Sequence, residues 1–252
     1  MAVKSLQVIY GGSEVVDNRI FPYLAPGEII DTSHLCFLVR ADEGNILVDC
    51  GGHPEDVETR MAKGARLNVK SEDHLPHRLK EVGLSMDDIN MVILTHSSWD
   101  HCGYVNDLLG AEVVFQWEEY RFCFDTPPYA FQKVAMTKKR IDSPQVKWKL
   151  VHGDQILMPG ITLLFTPGHT PGHQSVLVEL PNYGPVIITG DCADLQEDFK
   201  KERLPNNDDP RQAFYSIRKL NVLSKVLKAP LLTTHDLDFY RREMRKVPEM
   251  YN

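Results

Sequence analysis

The sequence predicts one α/β domain of layered sheets over residues 1-252. Three observations carry this reading. Short apolar runs of strand length recur between loop signals, an amphipathic helical segment stands near the C-terminus, and no Ser/Gly linker or break in composition divides the chain.

The predicted strands are Leu35 to Val39, Ile46 to Val48, Met91 to Leu94, Glu112 to Phe115, Ile161 to Phe165, Ser175 to Leu180, Val186 to Ile188 and Pro230 to Leu232. Several are rich in Val, Ile and Phe, whose branched or broad side chains suit a pleated surface. Helical periodicity shows over Glu72 to Val82. It is clearer after Pro210, where Phe214, Ile217, Leu220, Leu223 and Leu227 recur at steps of three and four. Asp208 or Asp209 ahead of Pro210 marks a helix start, because a carboxylate caps free N–H groups and proline suits the first helical position. The predicted helix covers Pro210 to Lys228. No repeat of solenoid period is visible.

Lys and Arg number 28 against 35 Asp and Glu, a formal net charge of −7, which excludes a basic protein that coats nucleic acid. A 42% hydrophobic share with 25% charge is ordinary for a folded chain, so disorder is also excluded. Met1 to Tyr10 carries no signal-peptide pattern, and no apolar run approaches the ~18 residues that cross a bilayer. Cys36, Cys50, Cys102, Cys123 and Cys192 are odd in number and form no C-x-x-C pair, which predicts reduced thiols in a cytoplasmic protein. Basic residues gather at Lys133, Lys138, Lys139, Arg140, Lys147 and Lys149, and again at Arg241, Arg242, Arg245 and Lys246; both clusters read as solvated surface.

The chemistry lies where histidines and aspartates follow strands. Met91 to Leu94 leads into Thr95-His96-Ser97-Ser98-Trp99-Asp100-His101-Cys102-Gly103. Ile161 to Phe165 leads into Thr166-Pro167-Gly168-His169-Thr170-Pro171-Gly172-His173, Val186 to Ile188 into Thr189-Gly190-Asp191, and Leu231-Leu232 into Thr233-Thr234-His235-Asp236. A rigid sheet fixes the backbone while the loop aims the ligand. Imidazoles and carboxylates suit Zn, Mn or Fe, and the lack of a cysteine pair argues against a closed structural zinc site.

These residues resemble the metallo-β-lactamase superfamily. Its H-x-H-x-D-H signature, distant G-H, Asp and last His are matched by His96, Asp100, His101, His169, Asp191 and His235. The chain is most similar to the N-acyl homoserine lactonase branch, through Ile46-Leu47-Val48-Asp49-Cys50-Gly51 and the run Thr166 to Ser175. The resemblance implies an αββα sandwich with metals at one edge of the packed sheets. It implies one ion held by His96, position 98 and His169, and another by Asp100, His101 and His235, with Asp191 bridging. Asp49 is expected to orient a ligand or water, with Asp236 and His173 as further supports; for His173 a structural hydrogen bond is favoured over ligation. The cofactor expected is Zn2+, with Mn2+ or Fe2+ as alternatives, as one or two ions.

Two residues depart from the family pattern. Ser98 stands where the signature has its second histidine, and Asp194 where the lactonases carry a tyrosine. His34 or His53 is considered as a substitute for the imidazole missing at position 98. Trp99 reads as either a pocket wall or core packing. Cys102 and Cys192 read as packed thiols rather than nucleophiles.

The implied function is a metal-dependent hydrolase that opens a cyclic ester of a small-molecule substrate by attack of a metal-bound hydroxide, with Asp100, Asp191 and Asp194 at the reacting centre. Alternatives are a cyclic amide, thioester or phosphoester on the same fold, or a non-catalytic binding module with a degenerate site. No nucleic-acid or membrane partner is expected, and homo-oligomerisation is left open.

Overall fold

Hydrophobic residues that alternate between two buried faces shape the chain into four layers. The computed structural model describes residues 3–125, 137–204 and 207–252. Seven strands form the first sheet: β1 (Val3–Asp17), β2 (Ile29–Ala41), β3 (Gly44–Val48), β4 (Arg66–Asn68), β5 (Ile89–Ile93), β6 (Glu112–Gln116) and β7 (Lys147–Val151), in the order β4-β1-β2-β3-β5-β6-β7. Five form the second: β8 (Gln155–Met158), β9 (Ile161–Phe165), β10 (Gln174–Leu180), β11 (Gly184–Ile188) and β12 (Leu231–Leu232), in the order β12-β11-β10-β9-β8. Leu35, Phe37, Val39, Ile46, Val48 and Ile93 of the first sheet pack against Ile161, Leu163, Val176, Val178, Val186 and Ile188 of the second. The intervening residues Cys36, Leu38, Leu47 and Val92 face the opposite way. Both faces of the central strands are therefore covered, which is why they read as continuous apolar runs.

Helices complete the outer layers. In the order of the chain they are α1 (Pro54–Ala62), α2 (Leu75–Glu81), α3 (Trp117–Asp125), α4 (Gln196–Lys201), α5 (Pro210–Leu227) and α6 (Leu237–Arg242). Helix α2 places Leu75 and Leu79 against the outer face of the first sheet, and α5 places Ile217 and Leu220 against Leu164 and Ile187 of the second. The Asp209 side chain accepts from the N–H groups of Arg211 and Gln212, so it is the cap of α5 and Lys228 is its left-handed terminus. This is the αββα sandwich that the resemblance implies.

Several expectations need correction. The periodicity over Glu72 to Val82 belongs to a 3-10 turn at Ser71–Asp73 followed by α2, which begins anew with Pro76 in its first turn. Strands β1, β4, β7 and β8 were not predicted. In the basic cluster Lys133 lies outside the described residues, as do Met1 and Ala2 of the N-terminal segment. Arg140 is buried, not solvated: its guanidinium donates to Asp56 at 2.7 Å and to Glu55 at 2.8 Å. The C-terminal cluster is exposed as expected.

One buried carboxylate ties the two sheets together beside the site. Glu119 of α3 accepts from the N–H and Oγ of Ser97, at 3.0 and 2.6 Å, and from the N–H of Gly172, at 2.8 Å. Residue 172 must be glycine for this approach, because a Cβ there would run into the Glu119 backbone. The clamp joins the loop after β5 to the loop after β9. Glu119→Ala leaves three donors without their partner, at about 1–3 kcal/mol each, so urea denaturation is expected to show a loss of about 3 kcal/mol or more. Glu119→Gln, which keeps one acceptor oxygen, is expected to lose clearly less; equal midpoints for the two variants would refute the clamp.

Candidate metal centre

The chain bends sharply at the ends of β3 and β5 to bring polar groups under the inter-sheet cleft. Asp49 sits at φ 60°, in the left-handed region that aspartate tolerates better than most residues. Its fully buried carboxylate accepts from the Thr95 N–H at 2.7 Å and the Thr95 Oγ1 at 2.8 Å, and it lies 2.8 Å from His101 Nδ1. That contact puts the proton of His101 on Nδ1 and turns Nε2 towards the cleft. His235 is oriented in the same way, with Nδ1 2.6 Å from the Ser33 carbonyl oxygen. His173 faces elsewhere. Its Nδ1 is 3.0 Å from the Thr166 carbonyl oxygen and its Nε2 accepts the Asp191 N–H at 2.9 Å, so it holds the Asp191 backbone, in line with the structural role favoured for it.

Asp191 is the centre of the arrangement. Its Oδ2 lies 3.6 Å from both His96 Nε2 and His169 Nε2, while its Oδ1 lies 3.2 Å from His101 Nε2 and 3.1 Å from His235 Nε2. Asp100 Oδ2 is 3.8 Å from His101 Nε2 and 3.7 Å from His235 Nε2. Donors bound at ~2.0–2.1 Å around one tetrahedral ion are separated by roughly 3.3 Å, and these distances are compatible with that spacing. His96 Nε2 is buried and makes no hydrogen bond, so its lone pair is available to a cation. The donor set thus fits a metal. The described residues offer three groups: His96, His169 and Asp191; His101, Asp191 and His235; and His34, Asp100 and His235.

The charges agree with that fit. Burial works against an ionised Asp191, yet His101, His235 and His96 hold its carboxyl well below the usual range. Burial likewise opposes a charged His235, but Asp191 beside it raises the imidazole to about 10. Burial, with Asp191 next, pushes the Asp194 carboxyl well up. Burial also lowers His34 to about 4.

The remaining expected residues fall as follows. Asp194 is 5% exposed, borders the cavity and leaves Oδ1 without a hydrogen bond. Ser98 also lines the cavity and stands outside these groups of His and Asp. Trp99 is a pocket wall, with the Arg60 guanidinium over its ring at 4.4 Å. Two substitutes proposed for position 98 fail there. His53 caps α1, accepting the Glu55 N–H, and His34 stands within β2 on the Asp100 side. Asp236 caps α6 through the Phe239 N–H and also accepts from the Gln196 N–H, so it supports backbone rather than ligands. All five cysteines are unpaired and buried, and burial raises the thiols of Cys102 and Cys192, as packed thiols should behave.

Sequence reasoning missed Glu119 and the pair of Glu14 and Arg60, whose side chains meet at 3.3 Å on the cavity wall. No local signal marks them, since each is one charge among many and acts through a partner distant in sequence.

Residues 29–204 match the metallo-beta-lactamase superfamily. An N-acyl homoserine lactonase of Bacillus thuringiensis is 30% identical, with 99% of each chain covered. The N-acyl homoserine lactonase AttM of Rhizobium radiobacter is 32% identical over 85% of this chain and 86% of its own. A solved N-acyl homoserine lactone hydrolase, with the product N-hexanoyl-L-homoserine bound at its catalytic metal centre, superposes with a TM-score of 0.88 at 30% identity, covering all of both chains. With its fold, its strand-end ligands and its full-length relatives in agreement, the chain belongs to the metallo-beta-lactamase superfamily.

Proposed function

We propose that this protein is a metallohydrolase that opens a lactone ring, built as one hydrolase domain over residues 1–252. The observation that carries the reading is the division of the Asp191 carboxylate, one oxygen towards His96 and His169 and the other towards His101 and His235. His96, His169 and Asp191 would hold one divalent ion; Asp100, His101, His235 and Asp191 would hold the other. Zn2+ suits this mixture of nitrogen and oxygen donors best, with Mn2+ and Fe2+ as alternatives. Such ions supply an acidified water and a Lewis acid for the ester carbonyl.

The chain's own residues do the rest. Asp49 and the Ser33 carbonyl fix the two imidazoles with Nε2 inward, and His173 holds the Asp191 backbone. Trp99, Phe21 and Ile20 line the cavity and exclude water from a bound ring. Asp194, which lines the cavity and leaves Oδ1 without a hydrogen bond, is the group that returns a proton to the departing alkoxide. Five unpaired thiols support a cytoplasmic setting. No helix among the described residues is long and apolar enough to cross a membrane.

Treatment with a strong chelator is expected to abolish lactone opening, and adding back Zn2+, Mn2+ or Fe2+ to restore it. Full turnover in protein shown to be metal-free by elemental analysis would overturn the reading. Asp194→Asn keeps the shape of the side chain but cannot give up a proton, so kcat on a lactone with a poor leaving alkoxide is expected to fall about 100-fold, the low end for acid–base catalysis. Circular dichroism on the same sample checks that the fold is kept.

The wall at Glu14 and Arg60 bears on substrate choice. A long acyl chain laid along it would strip water from an ion pair that is only partly buried, at 14% and 27% side-chain exposure. Across acyl homoserine lactones of rising chain length, kcat/KM is therefore expected to stay level or fall. A steady rise towards long chains would show that the wall does not face the acyl group.

A further inference from the structure

His34 has no place in the ligand pattern described above, yet it is built like a ligand. It lies in β2, is 5% exposed and lines the cavity. A neutral imidazole on the wall of a cavity that gathers carboxylates has a lone pair available to a cation. Its Nε2 is 3.9 Å from Asp100 Oδ2, and ligand atoms of His34, Asp100 and His235 lie within 4.8 Å of one another. The ring stands edge-on to His235 at 5.8 Å and to Trp99 at 5.1 Å between centroids, which holds its orientation. Its other charged neighbour, Glu14, has Oε2 at 3.9 Å from Nε2, too far for a hydrogen bond.

Two donors on one ion, each at ~2.0–2.1 Å, can be separated by anything from roughly 3.3 Å in a tetrahedron to roughly 4.2 Å when opposed. The 3.9 Å between His34 and Asp100 falls inside that interval. We propose that His34 is a direct ligand of the ion on the Asp100 side, so that the imidazole absent at Ser98 is replaced on the opposite ion. The two sites are then unequal. The Asp100 ion has His34, Asp100, His101 and His235 with a share of Asp191, whereas the His96 ion has only His96, His169 and the other oxygen of Asp191.

The inference rests on the metallohydrolase reading and is tested separately from it. The wild-type protein, loaded with Zn2+, is crystallised and its ions located by anomalous scattering. His34 Nε2 is expected at about 2.0–2.1 Å from one ion. A distance beyond about 3 Å from every ion overturns the proposal, while protein that takes up no ion overturns the metallohydrolase reading along with it. In solution, competition with a chelating indicator measures Zn2+ affinity for wild type, His34→Gln and His34→Val. Loss of a direct ligand should exceed the ~10- to 100-fold attributed to supporting groups, so the tighter equivalent is expected to weaken about 100-fold or more in both variants. A change below tenfold in either folded variant overturns the assignment. Should neither variant fold, the wild-type distance alone decides.

Discussion

Four carboxyl groups, those of Asp49, Asp100, Asp191 and Asp194, converge at the rim of an apolar inter-sheet core, and the surrounding structure is organised around their charge. Two like charges ~4 Å apart repel by about 4 kcal/mol at an effective dielectric of 20. The protein meets this in three ways. Asp49 receives two hydrogen bonds from Thr95 and faces His101. Asp194 is held towards its neutral form by burial and by Asp191. Asp100 and Asp191 face imidazoles whose Nε2 atoms are left for a cation. A dication bound there replaces protons on those imidazoles and quenches the remaining repulsion, so metal affinity, pH and folding stability are one coupled property.

The same groups join the sheets. The Ser33 carbonyl of β2 holds His235, which follows β12 in the other sheet, and the Ser33 N–H in turn donates to the His235 carbonyl at 3.0 Å. Gln174 of β10 donates its side-chain amide to the Leu94 carbonyl at 2.7 Å and its N–H to the Thr95 carbonyl at 2.8 Å. Glu119 adds the link between the loops that carry His96 and His169. A shift of one sheet against the other would therefore pull the ligand pairs apart before it opened the apolar core. Precision at the site comes from backbone groups inside strands, which is where a scaffold is stiffest.

The sequence made the ligand-bearing strand ends legible because an apolar run followed at once by His or Asp is a strong local contrast. The start of α5 was equally plain, since Asp209 and Pro210 act within one turn. Strand β1 was hidden, because Lys4, Ser5 and Gln7 interrupt its apolar positions and Gly11-Gly12 splits it at a register shift. Arg140 looked like one more surface cation, for nothing local tells that its partner Asp56 stands 84 residues away. His34 and Asp236 misled for the same reason. Each neighbours the right elements in sequence, but only the tertiary fold sends His34 towards Asp100 and turns Asp236 into a helix cap.

The two sheets supply different parts of the cavity. The second sheet brings His169, Asp191, Asp194 and His235 to the cavity. The first sheet and its loops bring Ser98, His34 and Trp99, together with the wall of Glu14 and Arg60. These belong to one structural unit. Glu14 and His34 stand on adjacent strands, Arg60 projects from α1 onto Trp99, and Gly52 leaves room for the indole, where a Cβ would come within 2.7 Å of the ring. Ser98, Trp99 and His34 border the same cavity as this charged wall. Ligand set and substrate wall are therefore coupled through shared packing, so a substitution at any one of these positions alters both metal binding and the shape presented to the substrate. The second sheet shares in this coupling, because Ser33 of the first sheet holds both the imidazole and the backbone carbonyl of His235.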